Sequence, residues 1–251
     1  MQLIGLARLS LLCAAVWFSV SAHAVVSLSG TRLIFDGKFR EVSIEASNRG
    51  QLEVLLQAWL SDIEAPSRHP EGLPFVVTPP LVHLPPQGKQ SLRLLYEGLG
   101  MPSERESLLH LYVMEIPRRS DAQQQLTIAV RQRINVFYRP AGLGGDPALA
   151  AQSLSWQLRQ AADGRSCLQV RNPTPFHVSL LAVQLDGKTA REDWLIKPGE
   201  TLEFALGFKA VAALLSFKAL TDYGGQRDYC AQVSSGMSST AQLTTGMCIH
   251  P

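Results

Sequence analysis

The chain has 251 residues, of which 46% are hydrophobic and 18% are charged, and its formal net charge is +2. This length accommodates two domains of ordinary size. The near balance of charge gives no basis for nucleic acid or an anionic membrane surface as a partner.

The first 24 residues have the pattern of a secretory signal peptide. Arg8 supplies the positive charge, residues 9–20 are apolar, and Ala22-His23-Ala24 forms a cleavage site of small residues. The apolar stretch is too short to span a bilayer, and no later segment has the composition of a membrane span. We therefore expect an exported, soluble protein that begins at Val25 and is not inserted in a membrane.

The first half of the mature chain reads as short strands separated by turns. Alternating apolar residues predict strands at 26–35, 41–48, 51–60, 91–96, 107–115 and 125–137. Thr78-Pro79-Pro80 and Pro85-Pro86 cannot lie in a central strand, so they predict loops, and such X-Pro bonds are where a cis peptide occurs.

The second half shows the same pattern of short strands and turns after a linker. Residues 140–147, rich in Gly and Pro, predict the linker, and strands are predicted at 156–158, 167–171, 177–185, 200–204 and 215–220. Residues 222–225 predict a hairpin turn. The Ser, Thr and Gly of residues 234–246 predict a poorly packed tail. The whole pattern indicates an all-β sandwich fold.

The segment at 125–137 has an unusual stripe of aliphatic residues. Leu126, Ile128 and Val130 share one face of the predicted strand, and Arg131, Arg133 and Asn135 lie on the other. A core strand of a sandwich would have such a stripe. A strand at a sheet edge could also pair with another chain and fill that chain's pockets.

Residues typical of catalytic or metal sites form no recognisable motif. The histidines lack metal-ligand spacing, so surface or hydrogen-bonded histidines are expected, and there is no HExxH or CxxC. We expect no enzymatic activity, cofactor or metal. The mature cysteines are Cys167, Cys230 and Cys248, an odd number that allows at most one disulfide.

Eight segments in order resemble one family. They are VSLSGTRLIFDG at 26–37, QAWL at 57–60, TPP at 78–80, RESL at 105–108, EIPRRS at 115–120, FYRPAGL at 137–143, NPTPF at 172–176 and TDYGG at 221–225. The chain resembles the PapD-like periplasmic chaperones of the chaperone–usher pilus pathway. The short turn at 116–124 is similar to the short-loop branch of that family.

The resemblance implies an architecture and a function. It implies two immunoglobulin-like β-sandwich domains in an L-shaped arrangement, at 25–140 and 148–233, with a linker at 141–147 and a flexible tail at 234–251. Such chaperones bind pilin subunits by donor-strand complementation and deliver them to an outer-membrane usher. The implied compartment is the periplasm.

The resemblance also implies roles for particular residues. Leu126, Ile128 and Val130 would fill the open groove of a pilin, and Arg32 would bind the pilin's C-terminal carboxylate. Asn135 stands where the family usually has lysine. Arg133, two residues earlier on the same face, either supplies the second charge or is solvated. Leu109-His110-Leu111-Tyr112 departs from the family pattern of an aromatic residue followed by asparagine.

Two structural features follow from the same resemblance. Glu106, Arg139 and Asp222 would form a buried network between the domains. By analogy with C-terminal disulfides in relatives, Cys230 would pair with Cys248, and pairing of Cys167 with Cys230 is the alternative. A secreted adhesin or structural pilin is the competing function, although two domains and scattered tryptophans are not typical of either.

Overall fold

A computed structural model describes residues 25–62, 72–118, 128–160, 165–246 and 248. The predicted signal peptide, Leu126 and most of the turn at 116–124 lie outside the described residues. Within these ranges no helix has the length and hydropathy of a membrane span.

The first domain is a sandwich of two sheets. One sheet has the order β1-β3-β7-β5 and the other β2-β9-β8-β4-β6. The bounds are β1 Val26–Leu28, β2 Arg32–Asp36, β3 Glu41–Asn48, β4 Val54–Asp62, β5 Phe75–Thr78, β6 Leu81–Leu84, β7 Lys89–Tyr96, β8 Ser107–Pro117 and β9 Val130–Arg139. Aliphatic side chains of both sheets pack around Phe35, whose ring contacts Phe75 and Tyr138.

The second domain is a sandwich of the same kind. A 3-10 helix, Pro147–Leu149, precedes its strands, and the sheets have the orders β14-β11-β10-β17 and β13-β12-β15-β16-β18. The bounds are β10 Ser155–Gln160, β11 Ser166–Arg171, β12 Val178–Leu185, β13 Lys188–Ile196, β14 Thr201–Ala205, β15 Ala212–Leu220, β16 Gln226–Ser234, β17 Ser239–Thr240 and β18 Gln242–Thr244. Trp156, Phe217 and Tyr229 occupy its core.

The predicted single strand at 26–35 is wrong, because the chain changes sheet within it. β1 pairs with β3 in one sheet, whereas β2 pairs in parallel with β9 in the other. The residues between them form a bend that contains Gly30. Continuous alternation of apolar residues cannot reveal this bend, since both strands turn their apolar faces to the same core.

The predicted poorly packed tail at 234–246 is also wrong in part. β17 pairs with β10 and β18 pairs with β16, while Ala241 between them is buried. A disulfide joins Cys230 on β16 to Cys248, with Cα atoms 5.9 Å apart. The first choice of disulfide is therefore confirmed. The alternative with Cys167 is wrong, because Cys167 is a free, buried cysteine on β11 in the opposite sheet.

Other differences concern the ends of strands and short strands. The predicted strand at 51–60 begins only at Val54. β5 and β6 flank the predicted loop at Thr78-Pro79-Pro80, where the Thr78–Pro79 peptide is cis. The predicted turn at 222–225 is confirmed, since Leu220 pairs with Gln226 and the Thr221 N–H donates to the Gly225 carbonyl at 2.8 Å.

Candidate functional site: the open edge of β9 and the interdomain cleft

One edge of β9 is only partly covered within the described residues. β8 pairs with β9 along one side from Val130 to Tyr138. On the other side, β2 pairs in parallel with β9 only from Asn135 to Arg139, because β2 begins at Arg32. In the described part of the chain, no strand pairs with this side of β9 from Val130 to Ile134. This stretch is about 17 Å long and is open to an additional strand.

The aliphatic stripe of Ile128 and Val130 lies on the same side of the strand as the core residues of β9, but outside the core of the first domain. Ile134 and Val136 lie in the core of the first domain, and alternation puts Val130 on the same side. Val130 is half-buried, and Ile128 is 64% exposed. The predicted donor residues Ile128 and Val130 thus lie beside the open edge, where they could enter an apolar groove of another molecule.

Side chains of β8 and β9 bind the backbone of Val26 at the start of β1. The Val26 N–H donates to Glu115 Oε2 at 2.9 Å, and Gln132 Nε2 donates to the Val26 carbonyl at 2.8 Å. Glu115 is buried. These bonds occupy backbone groups of Val26 that do not pair with β3, so β1 does not pair with β9 as a strand.

Arg32 lies where the open edge ends. It is directly opposite Asn135 in the parallel pairing of β2 with β9, and its guanidinium lies 5.6 Å from the Phe137 ring centroid. Its Nε is buried, and the guanidinium forms no hydrogen bond to any residue in the described ranges. Burial lowers the pKa of Arg32 from its usual value, while the charges of Asp222 and Glu106 act to raise it. An arginine with unused donors can bind a carboxylate through two hydrogen bonds.

A polar row crosses the sheet next to Arg32. Asn135 on β9 is opposite both Arg32 and His110, and His110 is opposite Ser61 on β4. His110 is buried, and its Nδ1 has no hydrogen-bond partner within the described residues. The expectation that histidines are exposed or hydrogen-bonded is therefore wrong for His110. Burial, and next the charge of Arg133, lower the pKa of His110 from 6.5, and Asp62 acts in the opposite direction.

Arg133 lies on the same face of β9 but not in this row. It is exposed and stands opposite Tyr112, whereas Asn135 stands opposite His110. Two residues along a strand correspond to about 6.6 Å. Asn135 is therefore the polar side chain in register with Arg32, and Arg133 is one row farther along the open edge.

Glu106, Arg139 and Asp222 are brought together at the junction of the two domains. Arg139 Nη2 donates to Glu106 Oε2 at 2.8 Å, and Arg139 Nη1 donates to Asp222 Oδ2 at 2.9 Å. Burial acts to lower the pKa of Arg139, but its hydrogen bonds and charge interactions with Asp222 and Glu106 outweigh this effect and raise it. The Glu106 side chain is 2% exposed and that of Asp222 is 35% exposed. One guanidinium therefore bridges a buried carboxylate of the first domain and a half-exposed one of the second.

The second domain contributes contacts that the sequence did not single out. The backbone N–H of His177 donates to Glu106 Oε1 at 3.0 Å, and His177 Nδ1 is 3.0 Å from the same oxygen. The ring of Phe176 lies under the guanidinium of Arg139 at 5.2 Å. Gly224 has a φ of +80°, and a Cβ at this position would lie 3.2 Å from Thr31 Oγ1 of the first domain. The NPTPF segment, which ends at Phe176, was the available signal for this contact.

The cleft beside this junction forms a cavity of about 230 Å³. Its walls include Arg32, Phe137, Arg139, His177 and Asp222. Arg32, which has no ion-pair partner among the residues that the structure describes, and the end of the open edge of β9 therefore meet in one concave site. Its chemistry suits an extended chain that ends in a carboxylate.

Family comparisons agree with this geometry. The N-terminal domain of PapD, described as a pili and flagellar-assembly chaperone, matches residues 25–144. The C-terminal domain of the pili assembly chaperone PapD matches residues 149–231. Together these matches cover most of the chain, and the family is one of chaperones, not enzymes.

Individual relatives and solved structures extend the similarity. Chaperone protein FimB/FhaD of Bordetella pertussis is 32% identical over 228 residues, which cover 85% of this chain and 90% of the relative. The probable fimbrial chaperone YadV of Escherichia coli (strain K12) is 34% identical over 83% of this chain and 89% of its own length. The crystal structure of the CupB2 chaperone of Pseudomonas aeruginosa has a TM-score of 0.67 and 31% identity, and covers 84% of this chain and all of that chain. The chain belongs to the PapD-like family of pilus-assembly chaperones and is built from two immunoglobulin-like β-sandwich domains.

Proposed function

We propose that the protein binds pilin subunits in the periplasm by lending β9 as a missing strand, and then delivers them to an outer-membrane usher. The domains that do so are proposed at 25–140 and 148–233. The observation that carries this proposal is the edge of β9 from Val130 to Ile134, which no described strand covers and which ends at Arg32, whose guanidinium has no hydrogen-bond partner among the described residues.

The direction of the incoming strand follows from the position of Arg32. A strand that pairs with the open edge meets Arg32 at the level of Asn135, because β2 takes over the pairing there. A strand parallel to β9 brings its C-terminal carboxylate to the guanidinium. An antiparallel strand would bring a positive amino terminus to the same place if it ended there. Charge therefore favours a parallel strand that ends in a free carboxylate.

The aliphatic stripe supplies the apolar part of binding. Each of Leu126, Ile128 and Val130 contributes about 1.5–3 kcal/mol if it is fully buried in a groove of the subunit. Main-chain hydrogen bonds along β9 add affinity that does not depend on the side chains of the incoming strand. This property suits a protein that serves several subunits. Because these contacts are non-covalent, another subunit's extension can replace β9 as the donor strand.

Asn135 and Arg32 form the proposed carboxylate anchor. Asparagine donates a hydrogen bond but brings no charge, so Arg32 carries the charged part of the interaction. The network of Glu106, Arg139 and Asp222 is proposed to fix the angle between the domains and hence the shape of the cleft. Such a network is better suited to specifying geometry than to adding stability.

Co-expression with a candidate pilin tests the proposal. The pilin chosen is one encoded beside an usher gene in the same genome. We expect a soluble complex in a ratio of one to one, and no soluble pilin when the chain is left out. Pilin that folds alone, or a chain that itself needs a chaperone to stay soluble, would contradict the proposal and support an adhesin or pilin instead.

A further inference from the structure

The face of β9 that carries Asn135 also carries two arginines to which the proposed function assigns no role. Arg131 and Arg133 are both exposed, and the guanidinium of Arg131 lies 5.2 Å from the ring centroid of Tyr112. Neither arginine forms a salt bridge with any residue in the described ranges. Together with Arg32, they place three cations along the path of the incoming strand.

The residues that stand opposite the two arginines on β8 are uncharged. Arg131 stands opposite Met114 on β8, and Arg133 stands opposite Tyr112. Tyr112 in turn stacks on Trp59 of β4 at 5.3 Å. Of the acidic side chains that line the cleft, Glu106 and Asp222 are bound by Arg139, and Asp146 accepts a hydrogen bond from the Ala148 N–H. This face of the open edge is therefore cationic and backed by aromatic and apolar side chains.

The register of a parallel strand places particular residues beside these arginines. If the terminal residue lies at the level of Asn135, residues two and four positions earlier lie at the levels of Arg133 and Arg131, because both strands rise by about 3.3 Å per residue. Period-2 alternation puts those side chains on the same face as the arginines. Opposite charges that face each other across neighbouring strands attract.

We propose that Arg131 and Arg133 select subunits whose last strand carries acidic side chains two and four residues before the C-terminal carboxylate. This inference rests on the proposed function and adds a specificity to it. Arg133 then binds a side chain of the subunit and does not replace the lysine missing at Asn135. The carboxylate remains with Arg32, one row away.

Three synthetic peptides test this selection on the full mature chain. All are extended, alternating peptides of the same length with a free carboxylate and a fluorescent label at the amino end. The first has aspartate two and four residues before the terminal residue, the second has asparagine there, and the third has aspartate three and five residues before it. The third peptide has the same charge as the first but presents it on the other face. Fluorescence anisotropy gives the dissociation constants at low and at moderate salt.

We expect the first peptide to bind roughly threefold to tenfold more tightly than the other two at low salt, and this advantage to shrink as salt is added. The double variant Arg131→Gln/Arg133→Gln should remove the advantage of the first peptide over the second and over the third. Arg171→Gln, which removes an exposed charge of the second domain, should retain it.

Other outcomes separate this inference from the proposed function. Equal binding of the first and third peptides would overturn the inference, because it would mean general attraction without register. Equal binding of the first and second would overturn it as well, and both results leave donor-strand binding intact. Failure of wild-type protein to bind any of the three peptides would contradict the proposed function itself.

Discussion

Arg32 is the residue at which the open edge of β9 meets the interdomain cleft. Its guanidinium lies 5.6 Å from the Phe137 ring centroid and forms no hydrogen bond within the described residues, although burial disfavours its charge. A protein that keeps a partly buried cation without a carboxylate loses solvation energy, which a bound anion can restore. The binding of a subunit's carboxylate would provide this compensation.

The carboxylate anchor can be tested by substitutions at Arg32 and Asn135. Arg32→Ala should reduce affinity for a pilin C-terminal peptide by about 2–5 kcal/mol, because the partner carboxylate loses its charged contact. Asn135→Ala should cost about 0.5–1.5 kcal/mol, the value of one neutral hydrogen bond. Asn135→Lys should preserve or tighten binding, since it adds a second cation beside the carboxylate.

The same titrations with an amidated peptide provide the control. Wild-type protein should bind the amidated form much more weakly than the free acid, and Arg32→Ala should bind both forms alike. Arg133→Ala should leave the ratio between the two forms unchanged, because Arg133 lies one row from Asn135. Equal wild-type affinity for both forms would rule out a carboxylate anchor.

His110 predicts a dependence of stability on pH. Burial, and next the charge of Arg133, lower the pKa of His110 below 6.5 in the folded state. The unfolded chain then binds a proton more readily, so this contribution to stability is complete above pH 6.5 and declines as the pH falls toward the folded-state pKa. His110→Gln should therefore lose less stability than wild type between pH 7.5 and pH 5.

Melting temperatures at the two pH values check this prediction, with His83→Gln as the control. His83 is exposed and lies 2.9 Å from Glu53, so its substitution removes a histidine without removing a buried one. Identical pH dependence in wild type and His110→Gln would show that His110 is not responsible.

For individual residues, the sequence predicted which side chains form the site better than it predicted their contact partners. Resemblance to the family identified Glu106, Arg139 and Asp222, and in the structure Arg139 donates hydrogen bonds to both carboxylates. It could not predict that His177 also binds Glu106, or that Nδ1 of His110 is buried with no partner in the described part of the chain. Both depend on which side chains face each other across strands far apart in sequence.

At the scale of elements, β9 combines two environments in one strand. From Asn135 onward it lies between β2 and β8, and before that residue one edge is uncovered within the described residues. The alternation that predicted the strand is the same in both parts, since it reports only which side chains share a face. Whether an edge is open depends on where β2 begins, and the predicted single strand at 26–35 concealed this.

Three further strands that the sequence did not predict are exposed or short. β13 carries mostly charged or polar residues and lies at the edge of its sheet, so it has no apolar alternation to detect. β17 and β18 are short and rich in Ser and Thr, and their place is fixed by pairing and by the disulfide of Cys248. Composition alone predicts a loose tail for such a segment.

The disulfide is expected to stabilise the end of the second domain. The sequence separation of Cys230 and Cys248 is 18 residues, and a loop of this size corresponds to about 3 kcal/mol in the chain-entropy view. The double variant Cys230→Ser/Cys248→Ser should lower the free energy of unfolding by about 2–4 kcal/mol. Urea unfolding measures the difference. Reduced wild-type protein should match the double variant, and a double variant as stable as oxidised wild type would contradict this role.

Across the whole molecule, Arg139 bridges carboxylates of the two domains, next to the contacts that His177 makes with Glu106. Arg139→Ala would leave Glu106 buried without its cation, although the half-exposed Asp222 can be solvated. We expect a loss of about 3–5 kcal/mol of stability if both domains unfold together. Thermal and urea unfolding measure this loss. Arg93→Ala, which breaks an exposed pair with Glu41, should cost less than about 1 kcal/mol, and equal effects of the two substitutions would refute the bridging role.

Pilin capture by variants of the aliphatic stripe tests whether β9 is donated to the subunit. Capture of a co-expressed pilin is compared for wild type, Ile128→Asp and Ala129→Asp, with circular dichroism of each purified protein. Ile128 belongs to the aliphatic stripe, whereas Ala129 is the next residue, which the alternation of a strand would place on the other face. Ile128→Asp should abolish capture while the spectrum stays native, because a carboxylate that enters an apolar groove costs several kcal/mol in desolvation, and Ala129→Asp should still capture pilin. Undiminished capture by a natively folded Ile128→Asp variant would contradict donation of β9 to the subunit.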